Sequence, residues 1–305
     1  MVRGIFARRS FAVGLITSDS YGRFSGPIMA GAEAALGTKK LSVYMADTHG
    51  DLRREAQQLG AMRGRRIDGL IVTGRCSNVR PSVGHRLPFP VVYAHTPSDD
   101  PTDYSVMVDD EEAGRLAAEH LIAMGRRRIG HITGPEDFDA VQRRQRGFEG
   151  VLAQHDMRPA GNVLAGFWCE SWGREAVHRL LEDAPDIDAV YCGSDLLARG
   201  VLDGLREAGR AVPEDVAVVG TDNWRLVALA ARPPLTTVDL RLEDVGRRAA
   251  EVLLASIEGQ AAAGTEMVPP RLVARSSSGA VMDDAEFRTA GSYHESCIHP
   301  AHCSD

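Results

Sequence analysis

No apolar run in this chain approaches the ~20 residues that a membrane-spanning helix needs. The N-terminus MVRGIFARRSFAVGLI has basic residues ahead of an apolar run, the order of a secretory leader. That run, residues 11–16, is shorter than the roughly 7–15 residues of a leader's apolar segment, and polar Thr17, Ser18 and Asp19 follow at once. It is read as a first strand. Cysteine is scarce: 5 residues, odd in number and without regular spacing, argue for a reducing cytoplasm over a disulfide framework. Positive charge is also short, with 35 Lys+Arg against 42 Asp+Glu and a net charge of -7 among 305 residues. Bulk electrostatic gripping of nucleic acid is therefore not expected.

Motifs of nucleotide and nucleophile chemistry are missing. There is no GxGxxG after a strand, no GxxxxGK[ST] loop and no GxSxG elbow. His294-Glu295 starts a HExxH pattern, but Ile298 stands where the second His belongs. Cys297, His299, His302 and Cys303 are possible metal ligands, yet the stretch reads as a polar, disordered C-terminus. No catalytic residue, metal site or cofactor is expected, and the chain is not read as an enzyme.

What is present is alternation. Strands are expected at 11–16, 41–46, 67–73, 89–94 and 105–108, with helices at 26–36, 52–62 and 111–124. The pattern restarts with strands at 129–133, 161–167, 189–192 and 216–219 and helices at 140–155, 173–181 and 196–208. A strand at 235–238, a helix at 242–257 and a strand at 270–274 close it. The class is α/β with parallel sheets, in two series that divide near Arg126. Arg126–Arg128 is read as ending a helix, where cations complement the dipole.

Polar residues collect where strands end: Ser18 and Asp19, Thr73, His95, residues 134–139, Ser194 and Asp195, and Asp222. Ligands of open parallel sheets bind at those carboxyl ends. In VPEDVAVVGTDNWRLVALAARPPLTTVDL (residues 212–240), Asp222 sits just past an apolar strand, and Pro233-Pro234 push the chain to extended geometry before the next. Arg144, one turn before Gly147-Phe148, has a guanidinium fork suited to a diol or a carboxylate.

The chain resembles the LacI/GalR family of bacterial transcription repressors, specifically their effector-binding core. The resemblance lies in FAVGLITSDSYGRF, RRIDGLIVTG, VDDEEAGRLAAEHLIAMGRRRIGHITGP, RRQRGFEGVL, AVYCGSDLLARGVLDGLREAGRAVPEDVAVVGTDN, PPLTTVDLRLEDVGRRAAEVLL and PPRLVARSSSG. It spans about residues 8–279. It implies two Rossmann-like lobes of the periplasmic-binding-protein type with three interlobe crossings, residues 11–125 with 240–268 and 126–239 with 269–280. Residues 1–10 would be a linker remnant and 281–305 a disordered tail. It also implies a homodimer, and a small sugar or sugar derivative bound between the lobes.

By position, Asp222 matches the family acid that binds effector hydroxyls, and Arg144 the arginine before Gly-Phe that contacts ligand. Asp195 matches the family's Asp, with Ser194 where Asn is usual. Trp168 and Phe24 match aromatic positions lining the pocket. Glu112 lies near a position acidic in some members. Gly22-Arg23 replaces the usual Asn-Pro before Phe24, so Tyr21 and Arg23 are candidates for unusual selectivity. The family's helix-turn-helix and hinge helix have no counterpart in these residues. Operator DNA is expected as a partner only if the native protein carries that head. The alternative reading is a sugar-binding receptor of a transporter, against which the missing leader and the repressor-like PPLTT stretch speak.

Overall fold

The computed structural model describes residues 10–20 and 22–280. The expectations placed on residues 1–9, on Tyr21 and on 281–305, with its Cys and His residues, lie outside the described residues. The chain divides into two compact units, one made of the described residues up to Asp110 with Phe138–Ala140 and Leu240–Pro270, the other of the remainder. The first unit begins β1 (Ala12–Thr17), α1 (Ser25–Gly37), β2 (Ser42–Asp47), α2 (Leu52–Gly64), β3 (Gly69–Thr73), β4 (Val91–Ala94) and β5 (Tyr104–Val108). The second begins with α3 (Asp110–Ala123), β6 (Ile129–Thr133), α4 (Asp139–Gln154), β7 (Leu164–Ala165), α5 (Glu170–Asp183) and β8 (Ala189–Cys192). It continues with α6 (Asp195–Glu207), β9 (Ala217–Thr221), α7 (Arg225–Ala228) and β10 (Thr236–Asp239). The chain then supplies α8 (Leu242–Ile257) and β11 (Gly264–Val268) to the first unit and β12 (Arg271–Val273) to the second.

Each unit holds one six-stranded sheet. The first, ordered β11-β5-β4-β3-β1-β2, is parallel throughout. The second, ordered β12-β10-β9-β8-β6-β7, is parallel except that β12 runs antiparallel to β10. Parallel neighbours need crossover helices, which cover both sheet faces, so the central strands are buried along their whole length. β1, β3, β6, β8 and β9 all show this. Those strands were legible as apolar runs for the same reason.

Two expectations need correction. The strand at 161–167 reduces to Leu164–Ala165. Gly161 has φ +69, and both the backbone and the side-chain amide of Asn162 donate to the Asp183 carboxylate, so this stretch is committed elsewhere. Arg126–Arg128 follow the end of α3 instead of forming its last turn: Gly125 turns the chain at φ +84, and Arg126 donates through Nη2 to the Pro213 carbonyl at 2.6 Å. The sheets are parallel as expected, with edge strand β12 the one antiparallel member among the described residues. β11 had no sequence counterpart, because Gly264-Thr265-Glu266-Met267 is largely exposed and carries no apolar run.

The helices pack backbone to backbone through glycine pairs. A Cβ on Gly31 of α1 would overlap the Glu243 carbonyl of α8, and one on Gly246 of α8 would overlap the Ile28 carbonyl of α1. Gly114 of α3 and Gly147 of α4 stand in the same reciprocal relation to the Arg144 and Glu111 carbonyls. So do Gly173 of α5 and Gly200 of α6 with the Leu197 and Glu170 carbonyls.

Gly150 lies in the same helix as Gly147 but faces open space. Gly147→Ala should lower the urea midpoint, at a cost of about 1–3 kcal/mol for overpacking. Gly150→Ala should raise it, by about 0.5–1 kcal/mol from helix propensity alone. Equal effects of the two substitutions would refute the contact assigned to Gly147.

Candidate functional site

In the second unit the carboxyl ends of β6, β8 and β9 converge on one turn, Gly193–Asp195. Asp195 opens α6, and its side chain is fully buried. Its carboxylate accepts from the Trp224 amide at 2.7 Å and from the Thr237 hydroxyl at 2.5 Å. Thr237 Oγ1 in turn accepts from the Asn223 amide at 3.2 Å. Gly220 lets the carboxylate in, since a Cβ there would overlap Asp195 Oδ1. Asp195 thus braces the loop that leaves β9. Ser194 is the N-cap of α6, its hydroxyl accepting from the Leu197 amide at 3.3 Å. Both side chains bond within the scaffold.

Asp222 lies on the braced loop and is half-buried. Its amide donates to the Val238 carbonyl at 2.8 Å, and its Oδ2 lies 3.4 Å from the Asp195 amide. Its φ is 115° and that of Asn223 is 51°. Two consecutive non-glycine residues at positive φ are costly for L side chains. The turn is held from behind by Arg275, a fully buried arginine that donates to Asn223 Oδ1 at 2.8 Å and to the Leu235 carbonyl at 2.7 Å.

Arg144 is buried at 4% exposure and donates from Nη1 to the Gly193 carbonyl at 2.8 Å. That bond ties α4 to the turn carrying Ser194 and Asp195. The Trp168 indole lies against Gly134 at the end of β6, so closely that a Cβ on Gly134 would overlap the ring. The structure therefore brings Arg144, Ser194, Asp195 and Asp222 to one turn, with Trp168 covering the adjacent strand end. Glu112 is not among them: on α3 it forms a two-point ion pair with Arg115. Sequence reading missed Thr237, Asn223 and Arg275. The last stood out only as a charge directly after the apolar Leu272-Val273-Ala274.

Phe24 belongs to the other unit. Its ring stacks on His95, centroids 5.0 Å apart and planes 20° apart, and the Arg23 guanidinium lies 5.0 Å from the Phe24 ring centre. Asp19 holds this loop by accepting from the Phe24 and Ser25 amides at 2.7 and 2.9 Å, at the start of α1. Among the described residues no cluster of His, Cys, Asp and Glu could hold a metal ion, and no helix is long and apolar enough to cross a membrane.

Two parallel-sheet units whose polar residues gather at strand ends define a class, and the comparisons agree. The family of periplasmic binding protein-like domains matches residues 118–278. The chain is 30% identical over 266 residues to the HTH-type transcriptional repressor PurR of Aliivibrio fischeri (strain MJ11), covering 85% of this chain and 78% of that protein. It is 33% identical over 267 residues to the HTH-type transcriptional regulator CelR of Thermobifida fusca, again covering 85% and 78%. A solved structure of a transcriptional regulator CelR–cellobiose complex matches with a TM-score of 0.73 at 31% identity, covering 88% of this chain and 85% of that chain. The chain belongs to the LacI/GalR family of transcriptional regulators and carries its effector-binding domain.

Beneath Arg144 lies a fully buried histidine. His131 stacks on Tyr191 at 4.7 Å and donates from Nδ1 to the Tyr191 carbonyl at 3.0 Å, while Nε2 finds no hydrogen-bond partner among the described residues. Burial pulls its pKa down to about 4, opposed by the Tyr191 hydrogen bond and assisted by the Arg144 charge. The unfolded chain, with an ordinary imidazole pKa of ~6.5, then binds the proton more tightly than the folded one. Stability from this group is complete above pH ~6.5 and is lost as pH falls toward 4. His131→Phe, which keeps the stack, should flatten the fall in chemical stability across that window, by up to about 3 kcal/mol. Parallel pH profiles of the two proteins would rule His131 out as the source.

Proposed function

We propose that this domain senses a small polyhydroxylated effector, a sugar or sugar derivative, and passes its occupancy to a DNA-binding output. In this reading Asp222 and Arg144 take effector hydroxyls, Trp168 and Phe24 pack on the apolar face of the ring, and Ser194 and Asp195 position the turn beneath. The observation that carries it is the turn at Asp222–Asn223. Its backbone is held in a costly conformation by Asp195, Thr237 and Arg275, and a half-buried carboxylate is presented at its apex. Strain of this kind persists where surrounding structure over-determines it, and it clusters at ligand sites.

The named ligand of the CelR structure, cellobiose, supports the choice of ligand class. The regulators it resembles support a sensor over an enzyme. A homodimer that reads operator DNA through a helix-turn-helix is the assembly we propose for the native protein, and the cytoplasm is its place. A ligand moves such a sensor only as far as it binds one state more tightly than the other.

Titration calorimetry against a panel of mono- and disaccharides should find a ligand whose binding weakens at least about tenfold on Asp222→Ala or Arg144→Ala, as expected for hydrogen bonds to charged groups. Binding that survives both substitutions unchanged would sink the site. Asp222→Gly should separate function from stability. It relieves the positive-φ cost and raises stability by about 1 kcal/mol while abolishing the ligand response.

A further inference from the structure

The strand ends of the first unit hold a feature that the proposed hydroxyl-binding residues leave unexplained. Beside the end of β3 is a cavity of about 170 Å³ whose wall includes Ser18, Thr73, Arg75, Arg80 and Thr96 and, among the described residues, no carboxylate. Thr73 is 1% exposed, and its hydroxyl has no hydrogen-bond partner among the described residues. The buried hydroxyl of nearby Ser77 is in the same condition. A buried hydroxyl left unpaired is destabilising, and valine has the same shape without that cost.

The charges at this cavity are one-sided. Arg75 is exposed and makes no hydrogen bond or ion pair among the described residues. Arg80 is neutralised by Glu55 at 2.7 Å. The nearest acid in the sequence of the β1 loop, Asp19, is turned to the amides that start α1. Gly74 keeps the space open, since a Cβ there would stand 3.3 Å from the Ser18 hydroxyl. Hydroxyl donors beside an uncommitted guanidinium form the donor set that receives carboxylate or phosphate oxygens.

We propose that this cavity binds the anionic group of the effector, a carboxylate or a phosphate, which makes the effector an acidic sugar derivative. The inference rests on the sensor reading above but uses residues separate from Asp222 and Arg144. A neutral sugar offers hydroxyl acceptors to this donor set but leaves the Arg75 charge uncompensated. An anion supplies that compensation.

The test is titration calorimetry on the full chain at constant ionic strength. The probes are inorganic phosphate, acetate, and the pairs D-glucose 6-phosphate with D-glucose and D-gluconate with D-glucose. Phosphate or acetate should bind at millimolar concentration, and Arg75→Ala and Thr73→Val should each weaken that binding at least about tenfold. Asp222→Ala should leave inorganic phosphate binding unchanged, so failure of the anion site and failure of the Asp222 site are separate results. The acidic member of a sugar pair should bind more tightly than the neutral one, and the stronger of the two pairs tells phosphate from carboxylate. Thr73→Val should also raise the melting temperature of the unliganded protein. Failure of both anions to bind, or binding indifferent to Arg75→Ala and Thr73→Val, overturns the proposal. So does a sugar panel in which only neutral members bind, an outcome that leaves the Asp222 reading intact.

Discussion

A carboxylate with no access to water must be met by donors fixed in place, or it costs several kcal/mol. Asp195 imposes that condition on the second unit. Its acceptors are filled by the Trp224 amide and the Thr237 hydroxyl, which come from the loop after β9 and from β10. The loop therefore cannot relax without stripping a buried charge of its partners. Arg275 closes the arrangement from the other side, with its own buried charge spent on Asn223 and Leu235. Between these two anchors the chain has little choice at Asp222 and Asn223 but positive φ. The conformation of the candidate ligand residue is thus a consequence of two buried side chains, Asp195 and Arg275.

The glycine pairs act as a second constraint of the same kind. Where a Cβ would overlap a carbonyl on the facing helix, the helices sit at a separation set by backbone, and side-chain repacking cannot adjust it. The pair formed by Gly114 and Gly147 holds α4, and with it Arg144, whose own carbonyl is the group Gly114 receives. The arginine at the turn is therefore positioned by a helix–helix contact through its own backbone.

These dependencies explain what could be read from the sequence. Buried parallel strands such as 129–133 and 189–192 are continuous apolar runs, so element order, class and the location of polar strand ends were all legible. β11 was not, because an exposed edge strand such as Gly264–Val268 has no apolar period to show. Arg144, Ser194, Asp195 and Asp222 were legible as candidates through strand-end placement and family likeness. Their division of labour was not. Whether Asp195 faces a ligand or braces a loop depends on partners 29 and 42 positions away in the chain. Nor can a sequence show that a threonine hydroxyl lacks a partner or that an aspartate sits at φ 115°, since both are facts about surroundings.

The unpaired hydroxyls carry the last step. β3 and β6 occupy inner positions of their sheets, and each ends in threonine, Thr73 and Thr133. Both side chains are buried, and both hydroxyls are unpaired among the described residues. Packing alone selects valine at such a position, as it does at the preceding residue of β3, Val72. A polar atom held there in both sheets costs stability unless water or a ligand pairs with it. Both threonines stand at carboxyl strand ends, where parallel sheets receive ligands, and one borders a cavity with an uncommitted arginine. The cost of the unpaired hydroxyl belongs to the unliganded state, and ligand atoms that reach it make binding stronger by the amount that folding gave up.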